Sequence, residues 1–239
     1  MTKDPEKRGA HEDAREGVTV GGGVGGGGGV PDEALTLRER KKRETRQRIS
    51  DEATMLFVAR GFDEVTVAEI AKAAHVSAMT VFNHFPRKED LFLDRIPEAV
   101  ELFTAAVRNR PAGEPPVAAL RGLLLHLLDQ RHPLAAVSDD FPHFWRIVLD
   151  SPALRARARE GVEEVETALG DAMAETAPGG DGPDPRLAAA LTVAAYRSVY
   201  VTTAQQLLAG ERAADVADDH RSRVHGAFDA LERALLTAR

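Results

Sequence analysis

The stretch from Thr66 to Phe85 constrains this chain more than any other, because it specifies two short helices with a tight turn between them. Val67, Ile70, Ala71 and Ala74 recur at helical spacing and make one apolar stripe. Thr66 stands ahead of the stripe and Glu69 follows three residues later, so the pair forms a capping box. Ala71 is small enough to let the next helix cross closely, and Val76 plugs the turn. Ser77 is a favoured N-cap for the second helix, in which Val81 and Phe85 point inward. Ala78, Met79, Thr80 and Asn83 are left facing out, with Phe82 and His84 at the margins. A methyl, a thioether, a hydroxyl and an amide can meet base edges and thymine methyls. A helix of this size and polarity suits the major groove, as sequence-specific DNA binding requires.

The segment upstream adds charge. Arg38, Arg40, Lys41, Lys42, Arg43, Arg46 and Arg48 crowd into a helical run. It leads into the stripe Ile49, Ala53, Leu56 and Phe57 and stops at Gly61 after Arg60. The stripe faces a core and the basic end projects from it. Phosphate neutralisation is the sequence-independent part of DNA affinity and calls for such a cluster. The competing reading is an all-helical interaction protein whose basic helix docks an acidic partner or a membrane surface. Salt-sensitive, base-selective DNA binding separates the two.

From Thr45 to Arg95 the chain resembles the N-terminal DNA-binding domain of the tetracycline-repressor (TetR) family of one-component transcriptional regulators. The matching pieces are Thr45-Arg46, the Ile49-to-Phe57 stripe, Arg60-Gly61-Phe62, Thr66 to Ala71, Val76-Ser77, and Val81-Phe82-Asn83-His84-Phe85-Pro86 running into Lys88-Glu89-Asp90-Leu91. The resemblance implies an all-α fold, a three-helix helix-turn-helix domain followed by a helical domain that binds an effector and dimerises. It implies that Thr45 and Thr66 hold phosphates from helix N-termini, that Ala78, Met79, Thr80 and Asn83 face the groove, and that His84 and Lys88 clamp the DNA backbone. Arg46, Ser77 and Phe82 complete the implied interface. The chain departs from the family pattern at three places. Phe82 stands where Tyr is usual and loses a hydroxyl. His75 stands where Gly is usual and must accept a left-handed conformation, which His does more readily than most residues. Arg87 replaces a helix-capping side chain and is free to contact phosphate.

Net charge is −7, which suits a DNA binder only once it is divided along the chain. Residues 1–34 carry 4 basic and 7 acidic side chains, residues 35–95 carry 12 and 10, and residues 96–239 carry 15 and 21. Positive charge is concentrated where the DNA contacts are expected, and the acidic remainder orients the protein on its polyanion. The same boundaries divide the chain into a Gly-rich flexible tail (1–34), the DNA-binding domain (35–95) and a C-terminal domain (96–239). The glycines at 21–29 are followed by no Lys-Ser or Lys-Thr, so they do not read as a phosphate loop. No apolar run is long enough to span a bilayer and no secretory signal is evident. Cysteine is absent, which excludes disulfides and thiolate metal sites and fits a cytoplasmic protein.

The C-terminal domain reads as entirely helical. Ser151-Pro152 opens a long charged helix, residues 178–185 break it, and two further helices run from Arg186 to Leu208 and from about Ala214 to Leu236. Leu187, Leu191, Ala195, Val199 and Thr202 offer one seam, and Val224, Phe228, Leu231 and Leu235 another, suited to a homodimer through the last two helices. Two recognition helices about one turn of DNA apart would then read a palindromic operator. The resemblance further implies a pocket for a small-molecule effector. Its candidate lining is Phe103, Leu124, His126, Phe141, His143, Phe144, Trp145, Val148, Met173, Tyr196 and Tyr200, with His143 the best polar candidate. No Gly-x-Ser-x-Gly, thiol nucleophile or metal-ligand spacing occurs, so neither an enzyme, a metal nor a cofactor is expected. The combined expectation is a ligand-responsive repressor, with the helix starting near Lys88 linking the two domains.

Overall fold

A computed structural model describes residues 36–177 and 183–237, and within them every regular element is a helix. The Gly-rich tail and most of the 178–185 break lie outside the described residues. The N-terminal helices are α1 (Leu37–Arg60), α2 (Val67–Ala73) and α3 (Ala78–His84). A 3₁₀ turn over Glu89–Leu91 leads to α4 (Ile96–Arg108), followed by α5 (Pro116–Asp129), α6 (Phe141–Asp150), α7 (Pro152–Glu175), α8 (Pro185–Leu208) and α9 (Ala213–Thr237). Lys88 precedes the 3₁₀ turn, so the inter-domain connection is that turn plus α4, and not a helix begun at Lys88.

Local signals set most boundaries. Thr36 caps α1 with Glu39 in a capping box, and Gly61 ends the helix at φ 87°. This start places Thr45 well inside α1, which corrects its expected position near a helix N-terminus. Ser151 caps α7 and Pro152 occupies its first turn. Only the second half of α1 has an apolar face. Ile49, Ala53 and Phe57 are fully buried, while residues 37–44 are exposed throughout.

The first core joins Ile49, Phe57, Phe62, Ile70, Val81, Phe85 and Leu91, and it continues into Val148 of α6 and Leu154 of α7. The second core lies among α4, α5, α7, α8 and α9, around Phe103, Leu120, Leu169, Val199 and Phe228. Val224, Phe228, Leu231 and Leu235 all belong to this core, so the α9 stripe is not a dimer seam. The reason is geometric: α9 packs that face against α5 and α8 of its own chain. On α8 the seam is divided. Leu187 and Leu191 are exposed, whereas Val199 is buried.

The two cores are tied by polar contacts around α7. Arg157 is buried and gives Nε to Asp90 at 2.7 Å and a terminal nitrogen to Glu164 at 2.8 Å. Arg87 pairs with Glu160, so it serves the domain junction instead of a phosphate. The Ser151 hydroxyl donates to Asp63 at 3.1 Å. Gly161 of α7 faces Ile96 of α4 so closely that an added Cβ would stand 2.6 Å from the Ile96 Cδ1. No helix among the described residues is long and apolar enough to cross a membrane.

Candidate functional site

The helix-turn-helix is fixed by caps at both helix starts. The Glu69 amide donates to the Thr66 hydroxyl at 3.3 Å, and the Thr66 amide donates to the Glu69 carboxylate at 2.8 Å. Arg60 pairs with the same carboxylate at 2.8 Å. Hydrogen bonds from Arg60 first, and from Thr66 next, pull the Glu69 pKa down to about 2. At the second helix the Thr80 amide donates to the Ser77 hydroxyl at 3.0 Å, and the two hydroxyl oxygens are 2.8 Å apart. The turn between the helices closes through His75 at φ 53°, the left-handed conformation expected of this position.

These constraints leave one face of α3 open. Ser77, Ala78, Met79, Phe82 and Asn83 are exposed, and Met79 keeps 68% of its surface. A free thioether and a bare phenyl ring are costly on a surface with nothing to cover them. Thr80 and His84 are half-buried at the edges of this face. Burial, followed by the nearby charges of Arg46 and Lys42, lowers the His84 pKa and favours a neutral imidazole. Arg38, Arg40, Lys41, Lys42 and Arg43 lie exposed along the first turns of α1.

Two of the expected contact residues are turned inward. The Lys88 ammonium donates to the Phe62 carbonyl and sits 4.2 Å from the Phe62 ring centre. Its long apolar stem lets the charge reach a carbonyl and an aromatic face inside the domain. It therefore holds the α1–α2 connection, which corrects its expected role as a backbone clamp. Arg46 donates to the His84 carbonyl and lies 4.0 Å over the Phe85 ring. It satisfies the C-terminal end of α3 from α1 and sets the angle at which α3 is presented. Thr45 is half-buried and Thr66 is exposed, with its hydroxyl engaged in the cap.

The candidate effector residues fall into three places. Phe103, Leu124 and Met173 lie in the main C-terminal core. Phe141, Phe144, Trp145, Tyr200 and Tyr196 form a continuous aromatic cluster with neighbouring ring centres 5.7–6.2 Å apart. Tyr196 reaches Phe103 at 6.4 Å. Val148 packs instead in the N-terminal core, and His143 is exposed. His143 and Trp145 are two residues apart on α6, which puts them on nearly opposite faces, so an inward Trp145 sends His143 to solvent. His126 is exposed as well. The sequence reading missed His220, which is fully buried beside Tyr196 and Thr203. The signal was present: His220 precedes Val224, Phe228, Leu231 and Leu235 at helical spacing on an apolar stripe.

The fold and this interface define a helix-turn-helix protein with an appended helical domain. Residues 49–94 match the family described as bacterial regulatory proteins, tetR family. The chain is 38% identical over 136 residues to the HTH-type transcriptional regulator TcmR of Streptomyces glaucescens, covering 56% of this chain and 60% of that one. It is 33% identical over 94 residues to the regulator AcrR of Shigella flexneri, covering 38% and 43%. The matches thus span less than two thirds of either relative. The crystal structure of NalD, the secondary repressor of a multidrug efflux pump in Pseudomonas aeruginosa, shares the fold. It aligns with a TM-score of 0.50 at 19% identity over 78% of this chain and 96% of that one. The tetR-family match is thus confined to the helix-turn-helix end of the chain, and the likeness to NalD is one of fold.

Proposed function

We propose that this protein is a sequence-specific DNA-binding regulator that works in the cytoplasm as a homodimer and leaves a palindromic operator when a small molecule binds its C-terminal domain. The observation that carries the reading is the capped, exposed face of α3. Ala78, Met79, Phe82 and Asn83 are presented by a helix whose orientation Ser77 and Arg46 fix. Thr80 borders that face, and the exposed cations of α1 supply phosphate neutralisation. His84 stays at the edge as a hydrogen-bonding and not a charged contact.

The dimer surface is the outward side of α8. Leu187, Leu191, Ala194, Ser198, Val201 and Thr202 lie along one exposed stripe. Ser222, Gly226, Ala230 and Ala234 form a stripe of small residues on the outer side of α9, opposite its buried face. Small residues there allow a second copy of the two helices to approach closely. An isologous pairing of this kind places two α3 helices symmetrically, as a palindrome demands. The matched TcmR and AcrR relatives are themselves transcriptional regulators, and NalD is a repressor, which supports regulation over catalysis.

Selection of bound duplexes from a random library at moderate salt tests the reading. Enrichment of a palindrome with half-sites about one helical turn apart is the expected result. Retention of unselected duplexes with salt-sensitive affinity and no base preference would overturn it.

A further inference from the structure

The chain contains no cysteine, so its methionines are the side chains that a mild oxidant can change reversibly. There are four, of which Met1 lies outside the described residues. The other three occupy three different settings. Met173 is 4% exposed in the C-terminal core, which shields its sulfur from oxidants in water. Met55 is 53% exposed on α1, two residues from both Ala53 and Phe57. Those two are buried, and two residues are about 200° of helix, so Met55 lies on the outer side of α1, away from the core on which α3 packs. Met79 is 68% exposed, the highest value of any large apolar side chain among the described residues. It stands on the open face of α3.

Met79 also has the most to lose from oxidation. Phe82 and Asn83 follow it at i+3 and i+4, so the three share one face of α3. A thioether packs on a thymine methyl, and the Asn83 amide suits adenine, whose N7 accepts its N–H. A sulfoxide replaces the apolar tip by a strong acceptor oxygen. Set against a thymine methyl, that oxygen sheds its water and meets no donor. Turned toward Asn83, one turn along the helix, it takes the N–H that adenine would use. Either way the base contact weakens, while the exposed cations of α1 keep their hold on phosphate. The hydrogen bond from the Thr80 amide to the Ser77 hydroxyl fixes the backbone on both sides of Met79, so the change is confined to the side chain.

We propose that Met79 is a reversible oxidation site, at which a hydroperoxide converts the protein to a form that no longer holds its operator. The proposal rests on the regulator reading above and adds an input that needs no bound effector. In the step, a lone pair of the Met79 sulfur takes one oxygen of the peroxide and the O–O bond breaks. With hydrogen peroxide, the departing hydroxide collects the proton of the transferred oxygen and leaves as water. The sulfur is oxidised by two electrons and the peroxide is reduced by two. A methionine sulfoxide reductase restores the thioether. DNA seated on α3 covers Met79, so the reaction belongs to the free protein. Oxidation therefore traps the unbound form.

The test uses hydrogen peroxide on the full-length protein, with a duplex recovered by selection on untreated protein as the DNA. Peptide mass spectrometry should show Met79 and Met55 each gaining one oxygen and Met173 gaining none, with the helical spectrum unchanged. Affinity for the selected duplex should fall about tenfold, the value of one unmet buried hydrogen bond, in step with oxidation of Met79. Methionine sulfoxide reductase should restore it. Met55→Leu should lose affinity in the same proportion, whereas Met79→Leu, compared with its own untreated affinity, should lose less than about twofold. Excess duplex should protect Met79 and leave Met55 reactive. An unreactive Met79 in the free protein, undiminished affinity in Met55→Leu with Met79 fully oxidised, or an equal proportional loss in Met79→Leu would overturn the proposal. A selected duplex whose binding ignores peroxide removes the oxidation site alone. Failure of untreated protein to select any duplex removes the regulator reading, and this proposal with it.

Discussion

The two ends of the molecule treat their polar groups in opposite ways. In the helix-turn-helix, Thr66, Glu69, Arg60, Ser77 and Thr80 form a closed set of hydrogen bonds, and even the inward cations Arg46 and Lys88 finish on a carbonyl and an aromatic face. In the aromatic cluster of Phe141, Phe144, Trp145, Tyr196 and Tyr200, the buried ring nitrogens Trp145 Nε1 and His220 Nε2 have no hydrogen-bond partner among the described residues. A surface that must present the same side chains to every operator gains from having no alternative hydrogen-bonding pattern. The contrast is one of completed against uncompleted hydrogen bonding among the described residues.

The sharpest way to break the contrast is to loosen the rigid end. Phe57 is fully buried and its ring meets Phe62 and Phe92 at 4.9 and 5.8 Å. Phe57→Ala should cost about 3–5 kcal/mol and abolish operator binding, as seen in thermal unfolding and a DNA titration. A small change in melting temperature would show that the N-terminal core is not the tightly packed body described.

Acid should attack the other end. Burial first, then Arg223 and Arg221, hold His220 neutral down to about pH 4 in the folded state. An unfolded imidazole titrates near 6.5, so between these values the unfolded chain binds more protons. Stability is therefore complete above about pH 6.5 and declines as pH falls toward 4. His220→Gln should flatten that decline in urea midpoints measured across this range. A wild-type profile that is already flat would remove His220 from the argument.

Smaller effects sharpen the assignment of individual cations. Lys88→Ala should lower stability by about 1–2 kcal/mol through the lost Phe62 contacts, while the salt dependence of DNA binding stays unchanged. Lys42→Ala should do the reverse, leaving stability within about 0.5 kcal/mol and reducing the log–log salt slope by about 0.9. If both variants changed the slope equally, the inward position of Lys88 would be wrong. Thr66→Ala, which removes one cap, should cost about 1 kcal/mol in the same unfolding assay.

The distribution of what the sequence revealed follows the same divide. The Thr66–Glu69 capping box, the left-handed His75, the terminal Gly61 and the Ser151-Pro152 start are local features that depend on neighbours a few residues away, so they were legible. The α9 stripe was legible as a stripe, but its direction depends on α5 and α8, which are remote in sequence. Lys88 eluded the reading because a four-carbon stem can carry its charge either outward or to a carbonyl, and only the position of Phe62 decides. Thr45 was misplaced because the basic residues before it extend α1 by more than two turns. His143 turned to solvent once α6 had an orientation, while Trp145 stayed in the aromatic cluster. The unpartnered nitrogens of Trp145 and His220 were invisible, since an unmet hydrogen bond is a property of surroundings and not of residue type.

The first half of α1 has a further consequence. The helix has 24 residues and spans about 36 Å, yet its leading turns bear exposed cations and no buried side chain. Those turns add no buried side chain to the core on which α3 packs. If the protein binds DNA as proposed, substitutions there should change phosphate affinity while leaving the base preference set by α3 in place. On the proposed reading, grip and base preference thus belong to separate lengths of the domain.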